Sequence, residues 1–172
     1  MGHIRQLSEN LANKIAAGEV VERPASVIKE LTENSIDAKA KSITILVEQG
    51  GTSKMCVIDD GIGMNRADAL LCFSRHATSK IVDENDLFNI TTLGFRGEAI
   101  PSIASISVFT LETNNGEENT KVEYEFGKRK NVSSVAMNRG TKITVERIFQ
   151  NVPARLKYMK SINAEFAAIY SY

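Results

Sequence analysis

The sequence predicts a layered α+β domain. Three observations carry this. A long helical run leads into a two-stranded hairpin, four further strand-like runs follow one another late in the chain, and the helices between them do not alternate with strands as βαβ units require. The chain has 172 residues, which suits one domain of roughly 100–200 residues. A chain of that size buries roughly 70% of its unfolded surface, so no disulfide or metal staple is needed.

The elements follow in order. Ser8 can cap a short helix carrying Leu11 and Ile15, and Gly18 stops it. Pro24 suits a first helical position. The helix from Pro24 to Asp37 sets Val27, Ile28 and Leu31 on one apolar face. Ile43, Ile45 and Val47 alternate with Ser42, Thr44 and Glu48, Gly50-Gly51 makes the turn, and Met55-Cys56-Val57-Ile58 returns. That strand ends in Asp59-Asp60-Gly61-Ile62-Gly63-Met64, and Asn65 with Asp68 forms a capping pair for a helix through about Phe73. Ser74 to Leu93 reads as a long loop with a short helix near Glu84–Phe88, a length typical of lids. Gly94-Phe95-Arg96-Gly97 opens a helix to about Ala104, which Pro101 should bend. Strands are expected at Val108–Thr113, Val122–Phe126, Val132–Met137 and Thr141–Val145, with a turn at Asn114-Asn115-Gly116. After Pro153 the chain turns helical, and Ala164–Tyr172 carries no stop signal, so a cut inside or just after that helix is expected.

Composition narrows the function. The 21 Lys+Arg balance the 21 Asp+Glu, which argues against nucleic-acid binding by bulk charge. Lys128-Arg129-Lys130 is the one basic run and reads as a solvated turn. Cys56 and Cys72 lack the paired spacing of a four-ligand zinc site and suggest a reducing compartment. No apolar run approaches 18 residues, and the N-terminus lacks a signal-peptide core. An intracellular chain without membrane contact is expected. Gly-x-x-x-x-Gly-Lys-Ser/Thr is absent, as is Gly-x-Ser-x-Gly, and His3 and His76 are the only histidines. Ser74, His76 and Asp83 are near in sequence, but a hydrolase triad is defined by geometry. Gly61-x-Gly63 is followed by Arg66 where a dinucleotide loop needs its third glycine.

Four features remain. Glu30 and Asn34, four apart on one helix, share a face; together they could orient a water and give one ligand to a hard cation such as Mg²⁺. Asp59, with Gly61 and Gly63 after it, ends a strand; its carboxylate can accept from an exocyclic amine while the glycines let a flat ring approach. Gly94 to Gly97 before a helix can aim backbone N–H groups at an anion. Arg75-His76-Ala77-Thr78-Ser79-Lys80 could fold over phosphates, with Lys80 as a point charge. Each alone also fits an ordinary role, as a solvated helix face, an Asp/Gly turn, a tight loop or an exposed loop. Jointly they supply what a nucleoside triphosphatase without a P-loop requires.

These residues resemble the N-terminal ATPase module of MutL-type DNA mismatch-repair proteins, within the GHKL ATPases. The resemblance is carried by Ile15 to Pro24, Lys29 to Ala38, Asp59 to Met64, Arg75 to Lys80, Gly94 to Ala99, and Asn151-Val152-Pro153-Ala154-Arg155, in family order. The ATPase polypeptide of DNA gyrase, heat-shock chaperones and sensor histidine kinases share the Glu/Asn helix and the Asp-x-Gly-x-Gly turn. The resemblance implies a two-layer GHKL (Bergerat) sandwich: a mixed, mostly antiparallel sheet with helices on one face, ending before a second domain. Residues 1–20 would be an arm for dimer contact, and 21–172 an ATP-binding domain incomplete at its C-terminus.

The resemblance further implies ATP and Mg²⁺ as ligands and slow hydrolysis as the reaction. Glu30 corresponds to the base that activates water, and Asn34 to the Mg²⁺ ligand. Asp59 corresponds to the acceptor for the adenine amine, with Gly61, Gly63 and Met64 beside it. Thr78, Ser79 and Lys80 fall in the lid. Gly94, Phe95, Arg96, Gly97 and Glu98 fall in the phosphate loop, and Thr141 is the strand hydroxyl near adenine. The implied partners are a second module in an ATP-driven homodimer or heterodimer, a mismatch-recognition protein, and DNA for the full-length protein only, in a bacterial cytoplasm or a eukaryotic nucleus. A GHKL-type kinase module or a catalytically weak partner-binding scaffold is the alternative.

Overall fold

The computed structural model describes residues 21, 23–74 and 99–157. The expected Ser8 helix, the loop after Ser74, the Gly94–Gly97 opening and the Ala164–Tyr172 helix lie outside the described residues.

Helix α1 spans Pro24–Asp37, with proline opening its first turn, where a missing N–H costs nothing. It buries Val27, Ile28, Leu31 and Ser35. Ala38 caps it by donating to Asn34 O, and Lys39 then turns left-handed at φ 60°. Strand β1 (Ile43–Glu48), a 3-10 turn at Gln49–Gly51 and β2 (Lys54–Asp59) form the expected hairpin. Helix α2 (Arg66–Leu71) is capped as expected, Asn65 Oδ1 accepting from the Asp68 N–H at 2.7 Å. Helix α3 (Ala99–Ser105) holds a buried Pro101. Strands β3 (Val108–Asn114), β4 (Asn119–Glu125), β5 (Lys128–Ser133) and β6 (Gly140–Glu146) follow, then α4 (Pro153–Lys157).

The six strands form one sheet in the order β1-β2-β6-β3-β4-β5, and each neighbouring pair is antiparallel. Strand β6 therefore enters the centre, between β2 and β3. Side chains alternate across a sheet, so the registers sort the helix-facing residues into three rows. One row is Val47, Met55, Val145, Phe109 and Tyr124, and the next is Ile45, Val57, Ile143, Leu111, Val122 and Val132. Apart from Ile45, which is exposed at the sheet edge, both pack with α1 and α3 in one hydrophobic core among the described residues. The third row is polar: beside Ile43 it holds Asp59, Thr141, Thr113 and Thr120. Phe73 fixes the end of α2 to the sheet, stacking on Tyr124 at 4.1 Å and meeting Phe109 edge-on at 5.5 Å. The opposite face alternates in charge, with Lys142 3.9 Å from Glu112 and Lys121 3.8 Å from Glu123, as a solvated sheet face does.

The Lys128-Arg129-Lys130 run, expected as a turn, is the exposed start of edge strand β5, which ends at Ser133 instead of continuing to Met137. The turn lies earlier. Phe126 and Gly127 both have positive φ, the pattern of a two-residue hairpin. Tertiary bonds hold it there, from Phe126 N to Ser107 O at 2.8 Å and from Gly127 N to Ala104 O at 2.9 Å. Lysines on an edge strand also discourage pairing with another chain.

Candidate functional site

A polar row inside an otherwise apolar sheet face is the informative departure. It sits where β2 ends, β6 begins and β3 ends, under the second half of α1. Asp59 and Thr141 retain 9% and 8% exposure, so this end of the row is reached from outside.

Asp59 is held by both neighbours. Its Oδ2 accepts from the Ser35 hydroxyl at 2.7 Å and its Oδ1 from the Gly61 N–H at 2.9 Å. A carboxylate offers about four acceptor positions, so roughly two remain for a ligand. Thr141 is its cross-strand partner, which sets their Cβ atoms about 4.5–5.5 Å apart on the same face. Thr113 lies beyond Thr141 in the same row. Its Oγ1 accepts from the Met64 N–H at 2.9 Å, donates to Gly140 O at 3.2 Å, and lies 3.0 Å from Thr141 Oγ1.

The glycines also have a packing role. A Cβ on Gly61 would lie 2.7 Å from the Ala38 carbonyl oxygen, and Ile62 N donates to that same oxygen at 3.0 Å. Gly63, at φ +70°, would drive a Cβ into the Asn114 carbonyl. In both cases the volume is already filled by the protein. These glycines seat the turn on the end of α1 and against β3.

Glu30 and Asn34 lie one helical turn apart on α1, half-buried at the border of its apolar stripe. Asn34 directly precedes Ser35, the residue that reaches Asp59, so the helix face and the Asp59 turn are adjacent. Among the described residues there is no cluster of three His, Cys, Asp or Glu side chains. A single amide oxygen from Asn34 fits Mg²⁺, which keeps several waters and takes its remaining ligands from phosphates. Thr78, Ser79, Lys80, Gly94, Phe95, Arg96, Gly97 and Glu98 lie outside the described residues.

Asp60 has a structural task. Its Oδ1 accepts from Lys41 N at 2.7 Å and Ser42 N at 2.9 Å, tying the α1–β1 connection to the turn. The Ser42 N–H, then that of Lys41, hold its carboxyl below the ordinary 3.8. A native value below the unfolded one adds stability above the unfolded value, lost as pH falls through the native one. Asp60→Asn is therefore expected to flatten the acid-side fall of the thermal midpoint below about pH 5. Parallel curves for the two proteins would remove this role.

Ser35 and Thr113 are not among the expected site residues. Ser35 carries a readable signal, a polar residue at the helix position where Ile28 and Leu31 call for another apolar one. Thr113 continues the alternation of Phe109 and Leu111 onto the inner face.

Residues 22–158 match the family model described as "Histidine kinase-, DNA gyrase B-, and HSP90-like ATPase". The chain is similar to the DNA mismatch repair protein MutL of Exiguobacterium sibiricum, 55% identical over 98% of this chain and 28% of that protein. It is likewise similar to MutL of Geobacillus kaustophilus, 58% identical over 96% of this chain and 26% of that protein. The chain thus spans about a quarter of the length of these curated relatives. Among solved structures, the N-terminal domain of a DNA repair protein superposes with a TM-score of 0.77 at 28% identity, over 93% of this chain and 46% of that one. The Aquifex aeolicus MutL ATPase domain complexed with ADP superposes at 0.65 and 28% identity, over 88% and 53%.

Proposed function

This chain belongs to the histidine kinase-, DNA gyrase B- and HSP90-like ATPase family, and from that membership we propose that it is the ATP-binding, slowly hydrolysing module of a MutL-type DNA mismatch-repair protein. The observation that carries the site assignment is the polar row ending in Asp59, whose carboxylate is held by Ser35 and Gly61 with acceptor capacity to spare. In this reading the adenine amine donates to Asp59, Thr141 lies beside the base, and the triphosphate runs along α1 past Asn34 to Glu30. Asn34 would hold Mg²⁺, which would supply charge neutralisation for phosphoryl transfer. Glu30 orients the attacking water and takes up its proton. Thr78, Ser79 and Lys80 cover the phosphates, and residues 94–98 cradle them.

ATP binding then acts as a switch: the nucleotide favours one conformation, that conformation favours dimerisation through residues 1–20, and hydrolysis resets it. The partners are a second module of the same kind, a mismatch-recognition protein and, for the longer protein, DNA. Among the described residues no helix is long and apolar enough to cross a membrane, and the repair role places the protein inside the cell.

Calorimetric titration with ATP, with and without Mg²⁺, tests the reading. Mg²⁺ should tighten wild-type binding, and Asn34→Ala should lose about tenfold of that Mg²⁺-dependent gain, as expected for one ligand and its oriented neighbours. A wild-type chain that binds no ATP, or an Asn34→Ala variant with an unchanged Mg²⁺ titration, would contradict it.

A further inference from the structure

We propose that Thr113, which stands one strand removed from the bound base, is a positioning residue that sets nucleobase selectivity by fixing the Thr141 hydroxyl as a hydrogen-bond acceptor. The inference rests on the site reading above and follows from counting protons. A threonine hydroxyl carries one proton and two lone pairs. Thr113 Oγ1 accepts from Met64 N–H at 2.9 Å, so its single proton goes either to Gly140 O at 3.2 Å or to Thr141 Oγ1 at 3.0 Å. If it goes to Thr141, the Gly140 contact is lost, only two of these three bonds form, and the Thr141 proton is left to turn outward. If it goes to Gly140, Thr141 donates to Thr113 and three bonds form at once. Thr113 is fully buried, at 0% exposure, and an unmade hydrogen bond is costly in such a place. The three-bond arrangement therefore prevails.

The consequence falls on Thr141. With its proton committed to Thr113, it presents only lone pairs toward the proposed position of the base. Its neighbour Asp59 is also acceptor-only when ionised. Two adjacent acceptors match the 6-amino group of adenine and oppose the 6-oxo group of hypoxanthine or guanine. Selectivity then arises partly by penalising the wrong base. Thr113 also joins Met64, in the Asp59 to Met64 turn, to the start of β6, so one buried hydroxyl couples both walls that meet the base.

The experiment compares ATP with inosine triphosphate, which differ at that 6-position, by calorimetry on the full chain. Wild type should prefer ATP. Thr113→Val keeps the shape but frees the Thr141 proton to donate to a 6-oxo group, so the ATP:ITP affinity ratio should fall about three- to tenfold. Thr113→Ser, which restores the hydroxyl, should restore the ratio. Thr144→Val is the control for loss of a buried threonine hydroxyl; its Oγ1 bonds Cys56 Sγ at 3.8 Å on the opposite sheet face, and it should leave the ratio unchanged. Should the valine variant not fold, Thr113→Cys keeps the volume with weak hydrogen bonding and should shift the ratio in the same direction. A ratio unchanged in Thr113→Val or its cysteine substitute, or lost equally in Thr113→Ser, overturns this proposal alone. Absence of ATP binding by the wild type overturns the site reading and this proposal with it.

Discussion

Replacing Glu30 by alanine is expected to lower ATP turnover by roughly 10²–10⁴, the usual contribution of a positioned general base, while nucleotide affinity stays near the wild-type value. The asymmetry follows from where Glu30 sits. It stands one turn before Asn34, half-buried at the border of the apolar stripe and not among the residues that α1 buries in the core, and alanine is the strongest helix former. Its proposed role is exercised only when water attacks, and an interaction made only in the transition state changes the rate and not ground-state binding. Single-turnover hydrolysis beside calorimetric affinity separates the two quantities. Loss of affinity in proportion to loss of rate would instead make Glu30 a phosphate-side binding residue. Asn34 offers the contrast, because its expected effect appears in the Mg²⁺ dependence of binding.

Asp59→Asn should weaken ATP binding roughly ten- to hundredfold, since a hydrogen bond to a charged group contributes about 1.5–3 kcal/mol. The local bonds say how the substituted amide must lie. Gly61 N–H points at Oδ1, so the amide oxygen stays there and the NH₂ takes the Oδ2 position. That NH₂ can donate to the Ser35 oxygen, which preserves the packing of α1 on β2. Its second hydrogen then faces the ligand and meets the 6-amino group donor to donor. The same hydrogen suits a 6-oxo purine, so the preference for ATP over inosine triphosphate should blunt along with the affinity. Competition binding of the two nucleotides checks it, and a preference carried over intact would mean that Asp59 does not touch the base.

Much of this site can be read in the sequence because its parts are local. The helix from Pro24 to Asp37 carries its own start signal and apolar stripe, and the Asn65–Asp68 cap spans three residues. The Asp59-x-Gly61-x-Gly63 spacing is likewise contiguous. What stays hidden depends on residues far apart in the chain. Nothing near Gly140 announces that β6 inserts between β2 and β3, a pairing that brings Thr141 against both Asp59 and Thr113. The start of β5 escapes sequence reasoning because Phe126 adopts a left-handed conformation that its side chain disfavours and that bonds to the Ser107 and Ala104 carbonyls, distant in sequence, hold in place. The glycines of the turn are recognisable, but their reason lies in Ala38 and Asn114, which the turn meets only once folded.

Recognition of the purine through Asp59 underlies the expectations for Asp59→Asn and for Thr113 alike. A crystal structure of the chain saturated with Mg²⁺ and a non-hydrolysable ATP analogue examines it without intermediaries. The 6-amino nitrogen should lie at hydrogen-bonding distance, roughly 2.7–3.2 Å, from the Asp59 carboxylate, with the phosphates beside Asn34 and Glu30. A purine seated away from Asp59, or a cleft that stays empty at saturating nucleotide, would show that Asp59 does not recognise the base.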